Sequence, residues 1–235
     1  MLRSMKDLDA LAVQATDGAI GHVKDFYFDD STWVIRYLVV ETGSWLSSRK
    51  VLISPISMGH PDWAGKTLPV SITREQVRNS PDIDTEKPVS RQHEGRYLGY
   101  YGYPLYWEAP RQRQHEHDDP HLRSCRAIMS YHIHATDGDI GHVQGFLVDD
   151  ETWAIRYVIA NTSNWWLGHE VPIARERIKE VSWADASITV DVTREAVRDA
   201  PLLDPSAPLD RERVRGLGEH YERPLFWTEV PRRET

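Results

Sequence analysis

Cysteine is nearly absent: Cys125 stands alone among 235 residues. One thiol closes no intrachain disulfide, which fits a reducing compartment. Long apolar runs are missing as well. Leu38-Val39-Val40 falls far short of the ~20 residues a membrane helix needs. The opening residues, Met1 to Asp7, show no apolar signal-peptide region. A cytoplasmic location is therefore expected, with peripheral docking at a membrane through a partner left open. Positive charge is in deficit, with 28 Lys and Arg against 36 Asp and Glu, a formal charge of -8 and a pI near 5.8. Phosphate binding needs a basic face, so nucleic acid is not expected as a main partner.

What is present is repetition. Ala15–Pro55 and Ala135–Arg175 align without a gap at a shift of 120 residues, with 20 identities in 41 positions. The register runs on: Thr73-Arg74-Glu75 meets Thr193-Arg194-Glu195, and Leu2-Arg3-Ser4 meets Leu122-Arg123-Ser124. Eight of the nine tryptophans fall in pairs at this shift, for example Trp33 with Trp153 and Trp107 with Trp227. A period this long with two copies means tandem domains, not a solenoid. The expected division is 1–108, a polar proline-bounded linker at 109–120, and 121–235. Hydrophobic residues at 40% and charged residues at 27% are those of a globular chain, and each copy is long enough for its own core.

Within one copy the pattern is mostly β. Asp17-Gly18 signals a tight turn, with a short strand expected before it at Leu11–Ala15. After it, Val23, Phe26 and Phe28 cannot share one face of a regular strand, which predicts a β-bulge near Asp25. His22 and Lys24 then face outward. Trp33–Val40 reads as a central strand covered on both sides. Further strands are expected at Lys50–Ser54 and near Leu68–Ile72. Thr73 predicts a helix start, with Gln76 as its capping-box partner. In the second copy Thr193 remains but Ala196 removes half of that box. Ser90 and Asp210 predict caps of a second helix in each copy. The fold class expected is mainly β: two tandem small antiparallel barrels, each followed by one or two short helices.

Asp17-Gly18-x-Ile20-Gly21-x-Val23-x-Asp25-Phe26, then Asp29 and Arg36-Tyr37-Leu38-Val39-Val40, resembles the PRC-barrel family. The second copy repeats the set as Asp137-Gly138-x-Ile140-Gly141-x-Val143, then Phe146, Asp149 and Arg156-Tyr157-Val158-Ile159, departing at Gly145. The resemblance spans about residues 5–80 and 125–200. The family is known from the cytoplasmic domain of the photosynthetic reaction-centre H subunit and from a ribosome-maturation factor. In both it is an interaction module, and this chain looks more like stand-alone tandem members. Fold alone does not give function.

Several residues invite chemistry. Asp29-Asp30 and Asp149-Asp150 could form a carboxylate dyad, but adjacent aspartates in a turn usually serve the turn. Arg36 and Arg156, mid-strand among apolar residues, need carboxylate partners. Structural ion pairs of Arg36 with Asp29 and Arg156 with Asp149 are expected, although Asp25 and Asp17 are alternatives. His22 and His142 recur with a nearby Asp, yet no Ser or Cys nucleophile recurs beside them. His132 and His134 share a strand face, and His115, His117 and His121 lie in or near the linker. Two histidines at this spacing can bind a divalent metal, but these lack counterparts in the first copy and no built metal site is expected. Cys125 aligns with Met5 and reads as an apolar filler.

The end of each copy shares Tyr-x-x-Pro-Leu-aromatic-Trp. Tyr101, Pro104, Leu105 and Trp107 recur as Tyr221, Pro224, Leu225 and Trp227. This density of rings beyond the barrel motif marks a partner interface, although sealing of each barrel's own end explains it equally. The function expected is a non-catalytic interaction or scaffold protein that binds a protein partner or itself, without a cofactor. The alternative is a small-molecule or metal sensor using the barrel mouth or the second copy's histidines.

Overall fold

The computed structural model describes residues 1–81, 89, 91–106, 122–162, 168–202 and 211–221. The chain begins with strand β1 (Leu2–Ser4) and helix α1 (Met5–Asp9). Strands β2 (Ala12–Ala15), β3 (Gly18–Asp29), β4 (Val34–Thr42), β5 (Lys50–Ile53) and β6 (Thr67–Pro69) follow, then helices α2 (Arg74–Asn79) and α3 (Arg91–Tyr101). The order then repeats with β7 (Leu122–Ser124), α4 (Cys125–Ile128), β8 (His132–Ala135), β9 (Gly138–Asp149), β10 (Ile155–Asn161) and β11 (Glu170–Ala174). After these come β12 (Ile178–Ser182), β13 (Ser187–Val190), α5 (Arg194–Arg198) and α6 (Arg211–His220).

Two compact units form, and their boundaries cut across the division expected from the repeat. Lys6–Ala127 is one unit, called here the first; Met1–Met5 with Ile128–Thr235 is the other. The cause is strand pairing. β1 pairs antiparallel with β9, and β7 pairs antiparallel with β3. Each repeat has surrendered its opening strand to the sheet of the other. The expected linker, 109–120, lies outside the described residues.

The sheet order is β5-β4-β3-β2-β6 in the first unit and β11-β10-β9-β8-β13-β12 in the second. The fold is mainly β with few helices, but two features correct the expectation of closed antiparallel barrels. Among the described residues each sheet is an open path. Each also contains one parallel pairing, β2 with β6 at the end of the first sheet and β8 with β13 inside the second. A parallel neighbour needs a crossover and cannot be reached by a hairpin. In the first unit the crossover is the stretch between β5 and β6, which starts with a short 3-10 turn at Pro55–Ser57.

Local chemistry explains the elements. The β3–β4 register slips between Val23 and Asp25, so Lys24 is the extra residue of a bulge. Val23, Phe26 and Phe28 are thereby all buried, while His22 is exposed. β9 slips at the matching place, between Val143 and Gly145. Gly21 is required by a close approach: a Cβ there would stand 1.9 Å from the Glu41 carbonyl oxygen. β4 begins one residue later than expected, because Trp33 sits in the left-handed region at φ 57°. Thr73 and Gln76 form the full capping box on α2, and Thr193 caps α5 through the Ala196 amide alone. Helices α3 and α6 start directly after Ser90 and Asp210, which lie outside the described residues.

Candidate functional site

The aspartate pairs divide their labour. Asp29 Oδ1 accepts from the Ser31 and Thr32 amides at 3.0 and 3.1 Å and from the Ser31 hydroxyl. Asp149 does the same for the Glu151 amide and the Thr152 hydroxyl. These are turn-closing contacts. Despite burial, the hydrogen bonds and Arg36 hold the Asp29 carboxyl below its ordinary range. The second aspartate of each pair faces the exchanged strand. Asp30 binds Arg123 Nε at 2.9 Å, and Asp150 binds Arg3 Nε at 3.1 Å. In the second pair both carboxylates also lie near the Met1 ammonium, Asp149 at 3.8 Å and Asp150 in direct contact. Sequence reasoning missed both clamps, although the recurrence of Leu-Arg-Ser at 2–4 and 122–124 carried the signal.

The expected mid-strand ion pairs take different forms. Arg156 Nη2 lies 3.6 Å from Asp149. Arg36 is near enough to Asp29 to lower its pKa, but its guanidinium donates to the Thr32 hydroxyl at 3.4 Å. It also lies 3.9 Å above the centre of the Tyr106 ring. A cation over an aromatic face is attracted by the ring quadrupole.

A further node was not foreseen. Asp25, at the bulge, accepts from the amides of Phe26 and Arg126 at 2.8 and 3.0 Å and from the Ser124 hydroxyl. Ser124 in turn accepts from the Ala127 amide at 3.0 Å. Asp25 thus fastens the segment β7–α4 onto the first unit. Burial nonetheless raises its pKa. Asp9 lies close by, pushed up to about 6 by burial, with Arg126 opposing the rise and Asp25 adding to it. Cys125 is fully buried beside them, and burial pushes its thiol well above the usual range. That is an inert environment for a thiol. The second unit has Gly145 where Asp25 stands, so its exchanged strand lacks this fastening.

The aromatic end of the first repeat packs partly inward. Tyr97 donates to the Leu52 carbonyl at 2.9 Å. Its ring continues through Tyr101, at 4.8 Å, to Tyr103, stacked at 5.5 Å. Glu94, fully buried, accepts from the Tyr106 hydroxyl at 2.6 Å. Burial and the Glu94 charge keep the neighbouring Tyr37 hydroxyl protonated. In the second unit Leu217 replaces Tyr97. Tyr221, one turn later, makes the equivalent bond to the Pro172 carbonyl at 2.8 Å. Of the predicted interface residues, Tyr221 is therefore buried in its own unit and Tyr101 is half-buried. Pro104 is exposed, and Leu105 is 46% exposed. Trp107, Pro224, Leu225 and Trp227 lie outside the described residues.

His132 and His134, the strand pair of the second copy, do not converge on a common ligand site among the described residues. His134 Nδ1 meets Asp139 at 2.6 Å at an exposed site, and His132 is exposed. Among the described residues no three His, Cys, Asp or Glu side chains converge as a metal site. His115, His117 and His121 lie outside them. No described helix is long and apolar enough to cross a membrane.

Residues 3–76 match the family model described as the PRC-barrel domain. The chain carries a PRC-barrel domain. A stretch of 83 residues is 31% identical to a protein of Deinococcus radiodurans described as an uncharacterized protein. It covers 35% of this chain and 30% of that relative, so the chain spans under a third of the relative's length. The matched domain includes Arg3 and Ser4, the strand that the structure places in the other unit.

Proposed function

We propose that this chain is a non-catalytic scaffold built of two PRC-barrel domains, the second at the repeated residues, that binds a protein partner. The likeness to the cytoplasmic domain of the reaction-centre H subunit belongs to the same reading. One observation carries it. The first unit leaves three large apolar side chains exposed, Tyr100 at 41%, Leu105 at 46% and Ile56 at 56%, the first two interleaved with tyrosines that pack on its core. Ordered aromatic and aliphatic groups at low entropic cost are what interface anchors use. The aspartates that recur in both repeats are occupied by turns and strand clamps, which supports a binding role over a catalytic one.

The test is a pair of full-length variants, Leu105→Glu and Ile56→Glu, compared with wild type by sedimentation and by cross-linking in the native host. Loss of one defined cross-linked partner in both variants, with unchanged near-UV dichroism, is the expected result. Retention of every partner by both variants would sink the reading.

A sensor role has one observation in its favour. A polar cleft of about 310 Å³ in the first unit is lined by Lys24, Asp25, Tyr27, Val39, Glu41, Lys50 and Arg126. The second repeat carries Gln144, Gly145, Leu147, Ile159, Asn161 and Glu170 at the first six of those places. Such a mixed-charge cleft suits a small zwitterion. Arg126→Ala should abolish any thermal shift that such a compound produces.

A further inference from the structure

We propose that the seat on β9 which holds Leu2–Ser4 is an exchange site for the same strand of a second copy of this chain, giving a strand-exchanged dimer. This does not depend on the surface around Leu105.

The chain already shows exchange. The PRC-barrel match begins at residue 3, so by sequence β1 belongs to the first repeat, yet it pairs with β9. The two donor strands are identical, Leu-Arg-Ser at 2–4 and at 122–124. The two seats are read in the same register. Leu2 faces Asp149 and Ser4 faces Leu147; Leu122 faces Asp29 and Ser124 faces Tyr27. Each leucine is buried, and each arginine binds the second aspartate of the facing turn. Nothing in these contacts distinguishes a strand by the chain it comes from. Reciprocal exchange of an identical element is a low-cost route to dimers.

The two seats differ in strength. The β3 seat adds Asp25, which binds Ser124 and the Arg126 amide. The β9 seat has Gly145 there. Its own added contacts lie at the exposed end of the strand, where the Met1 ammonium meets Asp150 and the Met1 carbonyl accepts from the Asp150 amide at 2.9 Å. It is the one expected to open. Connection within one chain gives β1 an effective concentration in the millimolar range. Exchange between chains therefore competes when strands are released during refolding at high protein concentration.

The test uses full-length chains. Ser4→Cys in one chain and Leu147→Cys in an isotopically labelled second chain are unfolded, mixed and refolded under oxidising conditions, at about 10 μM and about 1 mM. A disulfide joining positions 4 and 147 in this mixture can form only between chains. The expected result is that bond, found by mass in a two-chain species that rises about tenfold or more between the two concentrations. A chain carrying both substitutions is the control for geometry. If it closes its internal bond while the mixture yields no mixed bond at the higher concentration, the proposal is overturned. If the double variant closes no bond, β1 does not occupy the β9 seat and the proposal fails as well.

Discussion

Arg123 reaches back 93 residues to set its Nε 2.9 Å from Asp30 Oδ2, across the pairing of β7 with β3. Arg3 and Asp150 repeat the contact in the second unit at 3.1 Å. Both side chains of each pair keep only about a quarter or less of their surface in water. Such a pair lies between the exposed limit of about 0–1 kcal/mol and the buried limit of 3–5.

Asp30→Ala should therefore cost about 1–2 kcal/mol, felt first at the exchanged strand. Native-state hydrogen exchange at the Tyr27 and Ser124 amides is the measurement, because a two-unit chain does not give one unfolding free energy. The reversed pair, Asp30→Arg with Arg123→Asp, should recover most of the protection. Equal protection in wild type and Asp30→Ala would show that the ion pair is idle.

Glu94 and Tyr106 form a buried pair in the first unit. The second repeat carries Val214 and Phe226 at these positions, an apolar pair of similar size. Tyr106→Phe removes a donor from a buried carboxylate and should cost about 1–3 kcal/mol. Glu94→Val combined with Tyr106→Phe should cost clearly less than the sum of the single changes. A double-mutant cycle by denaturant titration measures the coupling. Strict additivity would mean that the 2.6 Å contact contributes nothing.

Much of the fold was legible in the sequence because it rests on local chemistry. The parity of Val23, Phe26 and Phe28 announced the bulge, and Thr73 with Gln76 announced the cap. The open sheet and the parallel β2–β6 pair were not legible, since a three-residue strand such as Thr67–Pro69 carries no signal of direction. Strand exchange was hidden for a similar reason. Leu-Arg-Ser reads identically whichever seat it fills, and only tertiary pairing shows that β1 goes to β9. Arg36 turned toward Tyr106 as well as Asp29, because the tyrosine arrives from a segment that periodicity does not place.

Gly21 and Gly141 should tolerate no side chain. An added Cβ would stand 1.9 Å from the carbonyl oxygens of Glu41 and Asn161, and backbone cannot yield as a flexible side chain can. Gly141 also sits at φ 150°. Gly21→Ala and Gly141→Ala are each expected to cost more than about 3 kcal/mol, with loss of the cooperative thermal transition of the affected unit. A melting temperature within a degree or two of wild type would refute the crowding argument.

Asp9 supplies a pH dependence. Its carboxyl is raised to about 6, mainly by burial, and its Oδ1 finds no hydrogen-bond partner among the described residues. Arg126 and Asp25 are the charges that face it. The unfolded value is about 3.9, so between about pH 4 and 6 the folded chain holds the extra proton. Stability from this group is greatest below that window and declines as pH rises through it. Asp25, also raised, acts in the same direction. Asp29, lowered, loses its contribution only at more acid pH. Asp9→Asn should remove about 1 kcal/mol of this decline, after allowance for solvent screening. Urea midpoints at about pH 4.5 and 7 measure it, and parallel curves for wild type and variant would exclude it.

Gly145→Asp should strengthen the weaker seat. A Cβ at Gly145 would have its nearest neighbour, Ile159 Cδ1, at 3.5 Å, which is ordinary contact. The position is not one of positive φ. By analogy with Asp25, the new carboxylate would face the Ser4 hydroxyl, the counterpart of Ser124. A hydrogen bond to an ionised acceptor, contributing about 1.5–3 kcal/mol, opposes a desolvation cost that already raises the Asp25 pKa. The net gain expected is about 1 kcal/mol, read as slower exchange of the Ser4 amide. Asp25→Gly should loosen β7 by a similar amount. If Gly145→Asp speeds exchange at Ser4, burial of the carboxylate outweighs the bonds it makes. Asp25 would then be tolerated in the first unit for a reason other than strand retention.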